Sequence, residues 1–231
     1  MTCRLLQVWR LLVAALVLVQ CGPVDTPLVT EVLEEGVLSL PTPTLVGAKS
    51  LEEVLSQRRS VREFADLPLT MAEVGQLLWA AQGITDERGF RTAPSAGALY
   101  PLELYVVMAD GIFHYQPQGH LLRRMSAVDV RTALWEVALS QQAVRQAPAV
   151  FIIAAVYERT AVKYGAERSP RYVHLEAGHA AQNLLLEAVA LGLGAVPIGA
   201  FDDKGVQKVL GLPADHQPLY LIPVGHLRKA P

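Results

Sequence analysis

Residues 172–201 read YVHLEAGHAAQNLLLEAVALGLGAVPIGAF, and no other stretch of the 231-residue chain limits its fold so strongly. From 172 to 193 there is no proline, and leucine and alanine, both strong helix formers, dominate. At ~1.5 Å per residue such a helix is roughly 30 Å long, enough to cross a small domain. Leu175, Gly178, Gln182, Leu185, Val189 and Gly192 recur at three- and four-residue steps, while Leu184, Leu186, Ala188 and Leu191 leave almost no polar side. The pattern predicts a helix buried all round. Ala177, Gly178, Ala180 and Ala181 are small enough to let a second helix approach closely, from this chain or from another subunit. Gly192 and Gly194 suit a C-terminal cap, after which a short strand follows.

Two other readings of this stretch fail on local chemistry. Residues 184–200 are hydrophobic, but Glu187, Pro197 and the glycines interrupt them, and a membrane span needs ~20 regular apolar residues. Gly192-x-Gly194 follows a helix instead of joining a strand to one, which argues against a Rossmann nucleotide site.

With 52% hydrophobic residues the chain can bury the core of one large domain. The formal charge of −2, with both signs scattered, argues against a nucleic-acid partner, which would require a basic face. Both cysteines, Cys3 and Cys21, precede the predicted domain, so thiol chemistry has no residue within it.

The first 21 residues have the layout of an export signal: Arg4 and Arg10 precede the apolar run 11–19, which is too short to span a bilayer. Leu18-Val19-Gln20-Cys21 resembles a bacterial lipobox, which would give an exported, cell-envelope or periplasmic lipoprotein anchored through a lipidated Cys21. Gln20 departs from the small residue usual there. An uncleaved anchor, or an over-extended start on a cytoplasmic protein, is the alternative.

Residues 22–49, proline-bearing and without periodicity, read as a linker or an arm lying on the fold, and the domain proper as 50–231. Ser50-Leu51-Glu52-Glu53 and Thr70-Met71-Ala72-Glu73 are capping boxes that open two short helices, the first ending near Gln57 and the second at Gly83. Residues 103–109 alternate as a strand, Asp110-Gly111 is a hairpin turn, and 112–116 return. Helical spacing covers 129–146, a continuous buried strand 149–156, and a polar link 158–171. A helix opened by Asp202 or Asp203 and a strand at 219–227 complete the chain. This order predicts an α+β fold, an antiparallel or mixed sheet wrapped by helices.

Four local groups carry possible chemistry. Arg58, Arg59, Ser60 and Arg62 place three guanidinium groups and a hydroxyl within five residues, a donor set suited to phosphate. A solvated basic patch beyond a helix end is the plainer reading. Arg228 and Lys229 end the last strand with a further basic pair. Pro197, Gly199 and Ala200 lie where small residues let backbone approach a flat ligand. Lys163-Tyr164 can serve as base and proton relay if burial lowers the lysine pKa, or is simply an exposed pair. His174, Glu176 and His179 do not form a metal site, because histidines five apart do not share a helical face.

In this order the motifs resemble the nitroreductase-like FMN flavoprotein superfamily across residues 50–229. Arg-Arg-Ser-Val-Arg is similar to its amino-terminal phosphate motif, Pro94-Ser95-Ala96-Gly97-x-x-x-Pro101 to its second flavin loop, and Pro197-Ile198-Gly199-Ala200-Phe201 to the segment facing the isoalloxazine ring. Lys163-Tyr164, Glu176-Ala177-Gly178-His179, Gln182-Asn183 and Gly192-Leu193-Gly194 are similar to the SagB-type dehydrogenases, which include thiazoline and oxazoline oxidases of modified peptides.

The resemblance implies a homodimer with FMN at the interface, where the long helix would be buried. It implies that Arg58 and Ser60 hold the phosphate with Arg59 assisting, and that Arg62 approaches the pyrimidine edge. Pro94, Ser95 and Gly97 would line the flavin, Gly199 and Ala200 would present backbone near N5, and Arg228 and Lys229 would close on the phosphate. Lys163 and Tyr164 match the pair proposed as catalytic in azoline oxidases. The implied activity is FMN-dependent hydride transfer, either dehydrogenation of a small-molecule or peptide substrate or NAD(P)H-driven reduction of nitro or quinone compounds. A catalytically silent flavin-binding or structural lipoprotein with the same fold is the rival. Ala98 and Gly199 stand where many nitroreductases have asparagine and glutamate.

Overall fold

Strict alternation along the central strands builds a sheet that is apolar on both faces. The computed structural model describes residues 32–34 and 36–228, so the expected export signal with Cys3 and Cys21, and Lys229, lie outside the described residues. In chain order the elements are β1 (Val32–Glu34), β2 (Val37–Ser39), α1 (Leu51–Gln57), α2 (Met71–Gln82), β3 (Leu102–Met108), β4 (Gly111–Gln116) and β5 (Leu121–Ser126). There follow α3 (Arg131–Val137), α4 (Gln142–Gln146), β6 (Ala149–Ala155), α5 (Tyr157–Tyr164), α6 (Ser169–Ala190), β7 (Leu193–Ala195), α7 (Asp203–Leu210) and β8 (Gln217–His226). The strands form one sheet in the order β1-β2-β5-β4-β3-β6-β8-β7, with antiparallel pairing between neighbouring strands.

One face, with Leu104, Val106, Phe151, Ile153, Ile222 and Val224, packs on α2 and α6. The other, with Tyr105, Val107, Val150, Ile152 and Leu221, packs on α3, α4 and α7. Two covered faces explain why β6 is apolar throughout. Each fully buried large side chain contributes roughly 1.5–3 kcal/mol, so this double layer dominates stability.

Helix α6 begins three residues before the predicted start and ends at Ala190; Gly192, at φ +74, takes the left-handed turn beyond it. It is not buried all round. Val173, Ala177, Ala180, Ala181, Leu184 and Ala188 are buried under α2 and the sheet, but Leu175 is 54% exposed, and His179 and Gln182 face solvent. The composition shows an apolar helix; this chain covers only one side of it.

Both predicted capping helices form. Thr70 and Glu73 make the reciprocal box, whereas at Ser50 only half of it exists: Ser50 Oγ accepts from Glu53 N, but the Glu53 carboxylate accepts from Gln57 instead. Residues 129–146 form two helices, not one, because Leu139 and Ser140 both take left-handed backbone (φ 55) without the glycine that would have announced the break. The predicted polar link at 158–171 is largely helix: α5 closes at Gly165 (φ +78) and α6 starts at Ser169. The proline-bearing arm adds edge strands, with β2 pairing β5, a strand the sequence reading did not place.

Candidate functional site

The basic segment gains its place from two close backbone approaches. Arg58 caps α1; Ser60 then bridges Ala195, with Val61 N donating to Ala195 O at 3.0 Å, and Ala65 N donates to His226 O at 2.9 Å. The run 60–65 therefore lies along β7 and the end of β8. Glycine permits this: a Cβ on Gly194 would stand 2.7 Å from Val61 Cγ1, and one on Gly225 2.7 Å from Pro148 Cδ. Ser60 and Arg62 are exposed there, and Arg228 Nη1 lies 3.5 Å from Glu63 Oε2, one residue from Arg62. The segment after α1 thus meets the residues that follow β8. Arg59 is turned back, its Nη1 donating to the Ser56 and Arg58 carbonyls at 3.0 and 2.7 Å.

Residues 195–198 continue along β8, with Val196 N donating to Pro223 O and Ile198 pairing with Leu221. Beyond Pro197, Gly199 and Ala200 are exposed, and Gln141 Nε2 donates to Ala200 O at 2.8 Å, pinning the segment. A Cβ on Gly199 would meet nothing within 4 Å. The chain's own packing does not require glycine there, and the backbone stays open to a ligand.

The turn at 94–100 is unusual in its backbone. Gly97, Ala98 and Tyr100 all have positive φ (65, 53 and 46), a conformation that disfavours side chains. Several bonds hold it. Ser95 Oγ accepts from Tyr100 N at 2.9 Å, Ala98 N donates to Ser95 O, Tyr100 Oη accepts from Arg91 N, and the Arg91 guanidinium lies 4.5 Å over the Tyr100 ring. From α5, Arg159 donates to Tyr100 O at 3.2 Å and to the Glu103 carboxylate.

Lys163 and Tyr164 stand in the last turn of α5, against this same turn. A Cβ on Gly97 would lie 3.0 Å from Lys163 Nζ and 3.2 Å from Tyr164 Oη. Tyr164 is half-buried against Tyr172, with ring centroids 4.5 Å apart, but Lys163 is exposed. The burial that would make the lysine a neutral base is not supplied by this chain alone.

These two groups do not meet within one subunit. The turn precedes Leu102, which pairs with Ala155 beside Gln217 at the start of β8, whereas Ser60 pairs with Ala195 beside Val224 near its end. At ~3.3 Å per residue the strand separates them by roughly 20 Å. The proposed phosphate donors and the second flavin loop sit at opposite ends of the sheet.

Sequence reasoning missed the groups that fix the turn, Arg91, Tyr100, Glu103 and Arg159, because their partners are distant in sequence and no local spacing marks them. Burial would raise the Glu103 pKa, but hydrogen bonds from His114 and Arg159 together outweigh it and hold the carboxyl at about 2. Its ionised form therefore favours the fold above the ordinary value of 4.5, and that stability is lost as pH falls from there through about 2. Glu103→Gln is expected to lower stability by about 2 kcal/mol at pH 7, with the gap from wild type closing below pH ~4.5 in urea unfolding.

His174 Nε2 lies 2.6 Å from Tyr157 Oη, His179 faces solvent, and Glu176 is buried behind the 94–100 turn.

The sequence profile described as "Nitroreductase family" matches residues 55–226, from α1 to the end of β8. The chain belongs to the nitroreductase family. A Methanocaldococcus jannaschii protein named as a nitroreductase is 49% identical over 181 residues, covering 76% of this chain and 90% of its own. The crystal structure of a Ralstonia eutropha protein, also named as a nitroreductase, superposes with a TM-score of 0.76 at 28% identity over 84% of this chain and 91% of that one. The trifolitoxin-processing protein TfxB of Rhizobium leguminosarum bv. trifolii is 30% identical over 141 residues, 55% of this chain and 37% of that protein. A nitroreductase-family member of this kind is an oxidoreductase, and its α+β sheet is the nitroreductase fold.

Proposed function

We propose that this nitroreductase-family oxidoreductase binds FMN between two copies of the chain and dehydrogenates its substrate in the manner of the SagB-type branch. The observation that carries this reading is the gathering of Arg58, Ser60, Arg62 and Arg228 at one edge of the sheet. The exposed Ser60 hydroxyl and Arg62 guanidinium there suit a phosphate ester, and the open backbone at Gly199 suits a flat ring, so the residues fit FMN. The ~20 Å between this edge and Pro94, Ser95 and Gly97 argues for the second copy, because only a partner's turn can complete a site started by these arginines. The uncovered face of α6, with Leu175 exposed, suits that contact.

FMN, when bound, supplies the redox chemistry, exchanging a hydride at N5. The protein's part is position and proton handling. Arg58, Ser60, Arg228 and Lys229 bind the phosphate, with Arg59 assisting, and Arg62 sets positive charge toward the pyrimidine edge. Gly199 and Ala200 leave backbone facing the ring. Lys163 and Tyr164, presented against Gly97, take the substrate proton once substrate and partner subunit exclude water from the lysine. TfxB, named for processing trifolitoxin, adds support for a processing role.

The test is a visible spectrum of the purified protein before and after anaerobic NADPH. Flavin bands near ~450 nm that persist with NADPH, and bleach with an azoline-bearing peptide, are the expected result. Bleaching by NADPH alone would favour nitro or quinone reduction. A colourless protein that takes up no added FMN would overturn the reading. Lys163→Ala is expected to lower turnover about 100-fold or more while leaving the spectrum intact; unchanged turnover would remove the lysine from the mechanism.

A further inference from the structure

Behind the 94–100 turn, α6 carries a carboxyl with no role in the scheme above. Glu176 is 2% exposed, its Oε1 has no hydrogen-bond partner, and neither has Nε2 of Gln82, a fully buried α2 residue beside it. Ser95 is the link to the turn. Its hydroxyl oxygen already accepts from Tyr100 N, which leaves its own proton to donate toward Glu176. Arg91, whose guanidinium lies over the Tyr100 ring and donates to Gln82 Oε1 at 2.9 Å, is the cation facing the carboxyl. The other titratable or charged groups acting on Arg91 are Glu103, Tyr100 and Arg159.

We propose that Glu176 is the positioning residue of the 94–100 turn, acting through Ser95 and Arg91, and that gain or loss of its proton sets how firmly the turn is held. The ionised carboxylate accepts from Ser95 and attracts Arg91, and such charge-assisted bonds are roughly twice as strong as neutral ones. Burial outweighs both, so the closed turn holds the neutral acid better than the carboxylate, and loss of the proton favours an opening that hydrates it. A turn with three left-handed residues stays formed only while its surroundings over-determine it, so this difference reaches Gly97 and the Lys163-Tyr164 pair. Burial, partly offset by Ser95, Arg91 and Gln82, raises the Glu176 pKa to about 7, which places the exchange in the neutral range. The inference rests on the FMN reading for its functional consequence, but not for the state of the turn.

The test compares full-length wild type with Glu176→Gln between pH 5.5 and 8.5, using two readouts. In the flavin-free protein, hydrogen exchange of the Ala98 and Tyr100 amides, both bonded to Ser95, reports the turn. The wild-type to variant protection ratio is expected to fall about 5-fold as pH rises through ~7. FMN titration should give a ratio of dissociation constants that shifts by a similar factor; the phosphate's own titration is common to both proteins and cancels. Ser95→Ala, which removes the link differently, should flatten the exchange profile as well. A control, Glu187→Gln, changes another buried acid of α6 and should leave the response in place. Ratios that stay flat with pH, or a response that survives in Glu176→Gln or vanishes in Glu187→Gln, overturn the proposal. A pH-dependent turn in a protein that binds no FMN keeps it and sinks the cofactor reading instead.

Discussion

Arg58→Ala is expected to weaken FMN binding about 10- to 100-fold, the loss of a charge-assisted bond to phosphate worth roughly 1.5–3 kcal/mol. Arg58 is half-buried at the end of α1, two residues before the bridge that Ser60 makes with Ala195. Its loss removes a positioned donor while the cap bond from its backbone N to Val54 O survives. Riboflavin lacks the phosphate, so its affinity is expected to be the same in wild type and variant. That contrast separates a phosphate contact from general damage. Arg59→Ala should cost less, because that guanidinium is already occupied by two carbonyls. Equal losses for FMN and riboflavin would show that Arg58 does not reach phosphate.

The second large effect is structural and reaches the same edge. Gly225→Ala would place a methyl group 2.7 Å from Pro148 Cδ and 2.9 Å from Phe64 Cβ and Cγ. Neither neighbour can yield cheaply, since the proline ring is rigid and Phe64 is buried. Overpacking of this kind costs about 1–3 kcal/mol, which in a domain of this size is a fall in Tm of several degrees, roughly 2–4 °C per kcal/mol. The response of least strain is for the 60–65 segment to lift from β8. FMN affinity should therefore fall together with Tm, although Gly225 contacts no part of the proposed ligand. A variant with lower Tm and unchanged FMN affinity would show that this edge does not hold the cofactor.

Both predictions depend on which signals a sequence can carry. Capping chemistry is local, so the starts of α1 and α2 could be read from Ser50 and Thr70 and the glutamates three residues on. The 3.6-residue period and the glycine stop located α6 to within three residues at each end, and Asp110-Gly111 marked the β3-β4 hairpin, although its turn is Ala109-Asp110, one residue earlier, and Gly111 already pairs with Met108 in β4. Periodicity failed where the chain broke its own pattern. Leu139 and Ser140 split a predicted helix through left-handed backbone that no glycine announced, and the charged stretch 157–164 hid α5 because its apolar face is narrow.

The candidate site divides in the same way. Its residue types, three arginines with a serine, small residues after the long helix, and a lysine beside a tyrosine, were legible because donor chemistry and motif order are properties of the chain. Their placement was not. That Arg228 meets Glu63, next to Arg62, follows from Gly194 and Gly225 letting the 60–65 segment lie close, a contact between residues more than 130 positions apart. That the 94–100 turn lies at the opposite end of the sheet follows from the antiparallel register of β3, β6 and β8. By itself the sequence determined the secondary structure with local causes, the family and the donor groups. Only the tertiary structure decided that α6 is covered on one side, that Glu176 is buried behind a strained turn, and that the 58–62 segment and the 94–100 turn lie at opposite ends of the sheet. Burial and long-range pairing depend on which distant surfaces come to exclude water from each other, and no local spacing encodes that.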